Sequence, residues 1–229
     1  ALGIGVEKNL VAMRNGETGI SSSPTLLRTT HKLPVGELLM TNEQLHDELG
    51  IPQKEHLSRT ALLGILAVKE AMSCVEIDSS KRIGLVSSTS VGGMDLTEHF
   101  FEDFMQDSTK GRLRDVKMHD CAASTDAIAK YCGINGYTTT ISTACSSAAN
   151  AVMTGVKLLK HNIVDYVLVG GTDALSAFTL NGFKSLMILD ENKCRPFDAT
   201  RAGLNLGEGA GYLLLQREED ASEYYASIG

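Results

Sequence analysis

Four short runs decide what this chain can fold into: "RIGLVSS" at 82–88, "YTTTIS" at 137–142, "VDYVLVGG" at 164–171 and "GAGYLLLQ" at 209–216. Each is brief, rich in aliphatic or β-branched residues, and flanked by small or polar ones, which predicts strands. The segments between them carry helix signals. "NEQLHDEL" at 42–49 predicts a short helix capped by Asn42 and ended by Gly50-Ile51-Pro52. "SRTALLGILAVKEAMSC" at 58–74 has Ser58 as N-cap and apolar residues on most faces, so it predicts a buried helix. Residues 95–106 read as an amphipathic helix starting at Asp95, and 121–131 and 146–160 as two further helices. Strands alternating with helices predict an α/β layered fold, with a mixed, mostly parallel sheet flanked by helices. The polar stretch 107–120 reads as a surface excursion.

Composition then removes several classes of function. A formal charge of −7 argues against a nucleic-acid surface, which needs clustered Lys and Arg. No apolar run reaches the ~18–20 residues of a membrane span, and "ALGIGVEKNL" lacks the basic and apolar regions of a signal peptide. The chain has 5 cysteines, scattered and without a C-x-x-C pair, so a zinc site is not expected. Free thiols fit a reducing cytoplasm.

One cysteine has a distinctive setting. In "ISTACSSAAN" at 141–150, Cys145 stands where a strand gives way to a helix of small residues. A helix start presents unpaired N–H groups and the positive end of the dipole, which favours a thiolate. The small residues Ser146, Ser147, Ala148 and Ala149 let that helix approach its neighbours closely, so it is expected to be buried with its first turn at the floor of a cleft. On position alone two readings stand: a nucleophile, or an inert buried cysteine packing as a small apolar residue. Cys74, Cys121, Cys132 and Cys194 have no comparable setting and read as structural.

The glycines and charges near the end of the chain also read first as structural. Gly170 and Gly171 close a predicted strand. Gly203, Gly207, Gly209 and Gly211 form a dense loop, but neither a Lys-Ser/Thr pair nor a strand-to-helix order supports phosphate binding. They are expected to let backbone pass beside the nucleophile helix. Asp198, Arg201 and Glu208 are expected to be buried ionic groups that fix this loop, with proton transfer by Glu208 as the other reading.

Three blocks in order, "STACSSA" at 142–148, "VLVGGTDA" at 167–174 and "RPFDATRAGLNLGEGAGYLLLQ" at 195–216, resemble the N-terminal half of the β-ketoacyl-acyl-carrier-protein synthases, condensing enzymes of the thiolase superfamily. "GLVSSTSVGG" at 84–93 and "LGIGVEKNLVAMRNGETGI" at 2–20 extend the resemblance over nearly the whole chain. The resemblance implies a thiolase-like layered fold with a buried nucleophile helix. It makes Cys145 the nucleophile that takes an acyl group from a carrier thioester, with its own N–H as an oxyanion donor. It also implies an acyl carrier protein bearing acyl-phosphopantetheine as partner, no cofactor or metal, and a two-fold dimer through the "YTTTIS" strand, with itself or with a related synthase subunit. Phe183 matches an aromatic position that lines the acyl pocket and Val91 one at the pocket's far end; both also read as ordinary core residues. Leu204 stands where the family usually has phenylalanine, which implies a looser gate.

Two family features are not found in this sequence. The two histidines, the lysine and the glycine-rich Phe loop of the C-terminal half have no counterpart, since His31, His46, His56, His99, His119 and His161 sit in unrelated contexts. His99 and His161 are expected to face solvent or cap a helix. The family's first strand, which would precede "ALGIG", is also not seen, so the sheet is expected to lack a central strand. Residues 1–229 therefore read as the N-terminal domain of a longer synthase, unable by itself to condense malonyl and acyl thioesters. The alternatives are a thiolase acting on coenzyme A thioesters and a non-catalytic partner subunit resembling a chain length factor. Such factors usually lack the cysteine.

Overall fold

A computed structural model describes residues 2–78 and 80–228. The termini of the expected 1–229 domain, Ala1 and Gly229, lie outside the described residues. In chain order the elements are α1 (Val6–Arg14), β1 (Val35–Gly36), α2 (Asn42–Leu49), α3 (Arg59–Ser73), β2 (Ile83–Ser88), α4 (Met94–Gln106), α5 (Leu113–Val116), α6 (Cys121–Tyr131), β3 (Thr138–Ile141), α7 (Ser147–Lys160), β4 (Tyr166–Asp173), α8 (Ala177–Ser185), β5 (Leu206–Gly207) and β6 (Gly209–Gln216).

The main sheet has four strands in the order β3-β2-β4-β6. β2 pairs in parallel with β3 and β4, and β6 runs antiparallel to β4. The period-2 alternation of the strands sorts side chains to two faces. Leu85 and Leu168 join Leu62, Ile65 and Ile128 in a core beneath α3 and α6. Val86, Val167 and Val169 face the other way and pack with Ala151, Leu158 and Leu159 of α7. The result is three layers, with α3 and α6 on one side of the sheet and α7 on the other. Gly64 allows the close approach on the first side: a Cβ there would meet Ile128 Cδ1 at 2.5 Å and Thr172 Cγ2 at 3.0 Å. A smaller parallel pair, β1 with β5, sits over a third cluster of Leu33, Val35, Leu175 and Leu180.

Several expectations need correction. The sheet has no internal gap, because β4 pairs directly with β2 on one side and, along its whole length from Tyr166 to Asp173, with β6 on the other. α2 is capped by Thr41, whose side chain accepts from Gln44 N–H in a capping box. Asn42 instead accepts from Arg59 Nη1. α3 is buried over Arg59–Ile65 and at Val68, whereas its last turn reaches the surface. α4 begins at Met94 and leaves Phe101, Phe104 and Met105 exposed, so its apolar side is uncovered in this chain. The excursion 107–120 contains α5 and the buried Asp115, which pairs with His56.

α7 departs from expectation in a further respect. Ser147, Ala151, Gly155, Leu158 and Leu159 are buried against the sheet, but Met153 is 55 % exposed and Ala148, Ala149 and Lys157 are open. Small residues do bring the helix close to β4. Among the described residues no second layer covers its outer face, so it is buried on one side only.

Candidate active site

The parallel strands β2, β3 and β4 end on the same side of the sheet, where α/β folds gather their ligand sites. A cleft of about 410 Å³ opens there. One wall is Ser88, Thr89 and Ser90, from the end of β2. A second is Ala144, Cys145, Ser147 and Ala148, and a third is Gly171, Thr172 and Asp173 from the end of β4. Gly207, Gly209 and Gly211 complete it.

Cys145 sits in the 3-10 turn Ala144–Ser146 that carries the chain from β3 into α7, and it is exposed to the cleft. The residue before it, Ala144, has a φ of 53°. The left-handed region costs an L-residue with a Cβ roughly 1–2 kcal/mol, and such residues cluster where a side chain must be presented on a sharp turn. The first turn of α7 ties this elbow down. Ser147 Oγ accepts from Thr143 N–H at 2.8 Å and donates to the Ala144 carbonyl at 2.7 Å. Ser146 Oγ donates to the Thr143 carbonyl at 2.8 Å, and Asn150 Nδ2 donates to Thr143 Oγ1 at 2.8 Å.

Opposite the elbow, the carboxylate of Asp173 organises the first wall. Asp173 Oδ1 accepts from Thr89 Oγ1 at 2.6 Å, Ser90 N–H at 2.8 Å and Val91 N–H at 3.4 Å. The one sequence signal for Asp173 is its position at the carboxyl end of a buried strand. The glycine wall has a different logic from the one expected. Gly170 and Gly171 do not close β4 but lie within it, opposite Tyr212 and Gly211. A Cβ on Gly209 or Gly211 would meet nothing within 4 Å, so these two residues leave the cleft open rather than tightly packed.

Behind that wall stands a buried ion pair. Arg59 Nη2 donates to Glu208 Oε1 at 2.6 Å and Arg59 Nε to Glu208 Oε2 at 2.8 Å. Leu38 and Leu175 N–H groups also donate to Glu208. Every oxygen of this carboxylate is occupied by scaffold, so the structural reading of Glu208 holds. Asp198 and Arg201 are exposed, contrary to expectation: Asp198 accepts from Thr200, and Arg201 donates to the Asp198 carbonyl. Their loop runs over the surface, with Phe197 99 % exposed at its crest.

Of the four candidate site residues, the cleft wall contains Cys145. Val91 follows that wall and shares its Asp173 anchor. Phe183 lies half-buried on α8, and Leu204 is bonded through its backbone to Ile188 and Asp190. The other thiols differ in setting. Burial pushes the Cys132 thiol up to about 11. Cys74 is exposed at the end of α3, away from the cleft. None of the cleft's wall residues is a histidine or lysine. His99 is exposed beside a separate polar recess with Arg28, Glu102, Asp103 and Arg112, and His161 is the C-cap of α7.

Residues 2–221 match the family model described as beta-ketoacyl synthase, N-terminal domain. Among curated relatives, nodulation protein E of Rhizobium meliloti is 34% identical over 181 residues, covering 75% of this chain and 44% of that protein. The 3-oxoacyl-[acyl-carrier-protein] synthase 2 of Staphylococcus aureus is 29% identical, covering 84% of this chain and 50% of that protein. The chain thus spans about half the length of the curated relatives it matches. A ketosynthase from Xenorhabdus doucetiae, solved in complex with its chain length factor, superposes with a TM-score of 0.78 at 29% identity, covering 95% of this chain and 55% of that one. The ishigamide ketosynthase/chain length factor shares the fold with a TM-score of 0.85 at 23% identity, covering 96% and 56%.

Proposed function

The chain belongs to the β-ketoacyl synthase family, and from that premise we propose that Cys145 is the nucleophile of an acyltransferase that condenses a cysteine-bound acyl group with a malonyl-type carrier thioester. The observation that supports this most is the placement of Cys145 on a strained elbow at the start of α7, open to a cleft at the carboxyl ends of three parallel strands. Thioester exchange onto a thiolate conserves the acyl–sulfur bond type, so covalent capture is close to balanced in energy. The Cys145 N–H, at the helix start, is assigned as one oxyanion donor. Val91, Phe183 and Leu204 are assigned to contact with the acyl chain.

Condensation also requires groups that stabilise the enolate formed as carbon dioxide leaves, and the wall residues include no histidine or lysine to do so. We therefore assign acyl capture to residues 1–229, as the N-terminal domain of a longer synthase, and decarboxylation to groups outside them. Losing one such donor costs ~10²–10³ in rate, so the 229-residue chain by itself is expected not to form a ketoacyl product. The partners proposed are an acyl carrier protein and a second synthase subunit, in fatty acid or polyketide biosynthesis. The five free cysteines support a cytoplasmic setting. No described helix is long and apolar enough to cross a membrane.

The test is intact-mass spectrometry after incubation with an acyl-carrier thioester. One acyl adduct is expected on the wild type and none on Cys145→Ala. An adduct that persists in Cys145→Ala overturns the assignment. Faster transfer from the matching coenzyme A thioester than from the carrier favours the thiolase alternative.

A further inference from the structure

We propose that Ser147 is a positioning residue whose hydroxyl locks the left-handed elbow at Ala144 and thereby holds Cys145 in the 3-10 turn that leads into α7. This rests on the reading of Cys145 as the nucleophile, but it is argued from the elbow itself.

Ser147 is 4 % exposed although its side chain is a small alcohol at the mouth of a cleft. Its one oxygen is used twice. It accepts from the N–H of Thr143 at 2.8 Å and donates to the carbonyl of Ala144 at 2.7 Å, so it ties the backbone on either side of the Ala144 kink together. Ser146 Oγ donates to the Thr143 carbonyl, Asn150 Nδ2 donates to Thr143 Oγ1 and to Ser146 Oγ, and both residues are more open to solvent. The backbone at Ala144, with a φ of 53°, lies where glycine is at ease and alanine is not. Something must hold it there, and Ser147 is the buried group that bonds to both sides of it. Without the hydroxyl, the Thr143 N–H loses its acceptor, the Ala144 carbonyl is left with the Ser147 N–H, and Ala144 relaxes toward negative φ. Cys145 then turns out of line with the cleft that it lines.

The experiment measures the rate of carbamidomethylation of Cys145 by iodoacetamide, read by peptide mass spectrometry, with the exposed Cys74 of the same molecule as internal reference. Three variants of the protein are compared: Ser147→Ala, Ala144→Gly, and the two combined. Ser147→Ala is expected to lower the Cys145 to Cys74 rate ratio about tenfold. Ala144→Gly alone supplies the baseline against which the double variant is read. The double variant is expected to recover most of the loss, because glycine adopts the elbow without a lock. A purely structural serine would not be rescued by removing a methyl group at another residue.

An unchanged ratio in a folded Ser147→Ala protein overturns the proposal, and so does a folded double variant that stays slow. Should Ser147→Ala fail to fold by circular dichroism, the double variant decides alone: fast supports the lock and slow overturns it. Should the ratios behave as expected while wild-type Cys145 takes no acyl group from any thioester, the lock stands and the acyl-transfer reading fails.

Discussion

Glu208 shows how one residue can resemble catalytic machinery in sequence and be scaffold in structure. A carboxylate within a glycine-rich block beside a cleft invites a proton-transfer role. Its side chain is 2% exposed and paired with Arg59, itself 11% exposed. Arg59 in turn donates to the carbonyls of Leu38 and Met40 and to Asn42. The pair joins α3 to the β5–β6 wall, so its removal leaves a buried guanidinium uncompensated. Glu208→Ala is expected to destabilise the protein by about 3–5 kcal/mol. Glu208→Gln, which keeps an acceptor, is expected to cost less. Urea denaturation of the two variants checks the order. Nothing local in the sequence announces this pair, because its members are 149 residues apart. The same is true of Asp173 and the Thr89–Val91 turn. Cys145 was legible because its signal is local: β-branched residues, then a cysteine, then small ones.

At the scale of elements, legibility follows the length and strength of the local signal. β6 and α6 lie at the residues expected, since an alternating run and a capped helix each span two or more turns or pleats. α8 and the β1–β5 pair were not foreseen. α8 includes Gly182 and two threonine or serine positions, and two-residue strands carry no period at all. α4 was foreseen with the wrong start. Gly93 takes the N-cap position and Asp95 lies inside the helix, 8 % exposed, accepting from Arg59 N–H at 2.8 Å. Its other oxygen has no partner among the described residues.

Burial raises the Asp95 carboxyl above the ordinary aspartate range. Burial likewise raises Glu98, which caps α8 through the Ala177 and Phe178 N–H groups. A raised carboxyl binds its proton more tightly in the folded state, so its contribution to stability is full below the unfolded value and is lost as pH rises through the folded one. Asp95→Asn keeps an acceptor for Arg59 and removes the charge. The melting temperature of Asp95→Asn minus that of wild type is therefore expected to increase from about pH 4 upward and then level off. A difference that stays constant over that range would show that Asp95 is not raised. Asp165 works in the opposite sense, held below the usual range by hydrogen bonds from Arg82. Subtracting the two proteins removes its contribution.

For the molecule as a whole, the two ends of the sheet matter most. β3 is an outer strand, and Tyr137 at its entry is 42% exposed. Leu85 N–H donates to the Tyr137 carbonyl and Thr89 N–H to that of Ile141, so the odd-numbered residues of β3 face β2. The amide groups of Thr138 and Thr140 therefore point to the open edge. If subunits join through this strand, Thr138→Pro removes an outward donor without touching the β2 ladder. Sedimentation is expected to show a two-fold assembly for the wild type and single chains for Thr138→Pro, with unchanged circular dichroism. An assembly that survives the proline places the interface elsewhere.

The cleft draws its walls from residues 88–90, 144–148, 171–173 and 207–211. No two of these segments are neighbours in the chain, and the last arrives only with β6. Long-range closure of this kind comes late in folding, and synthesis proceeds from the N-terminus at roughly 5–20 residues per second. A nascent chain that ends before Gly207 already carries Cys145 but lacks the glycine wall of its cleft. The glycine wall of the cleft thus joins Cys145 only once β6 has paired with β4.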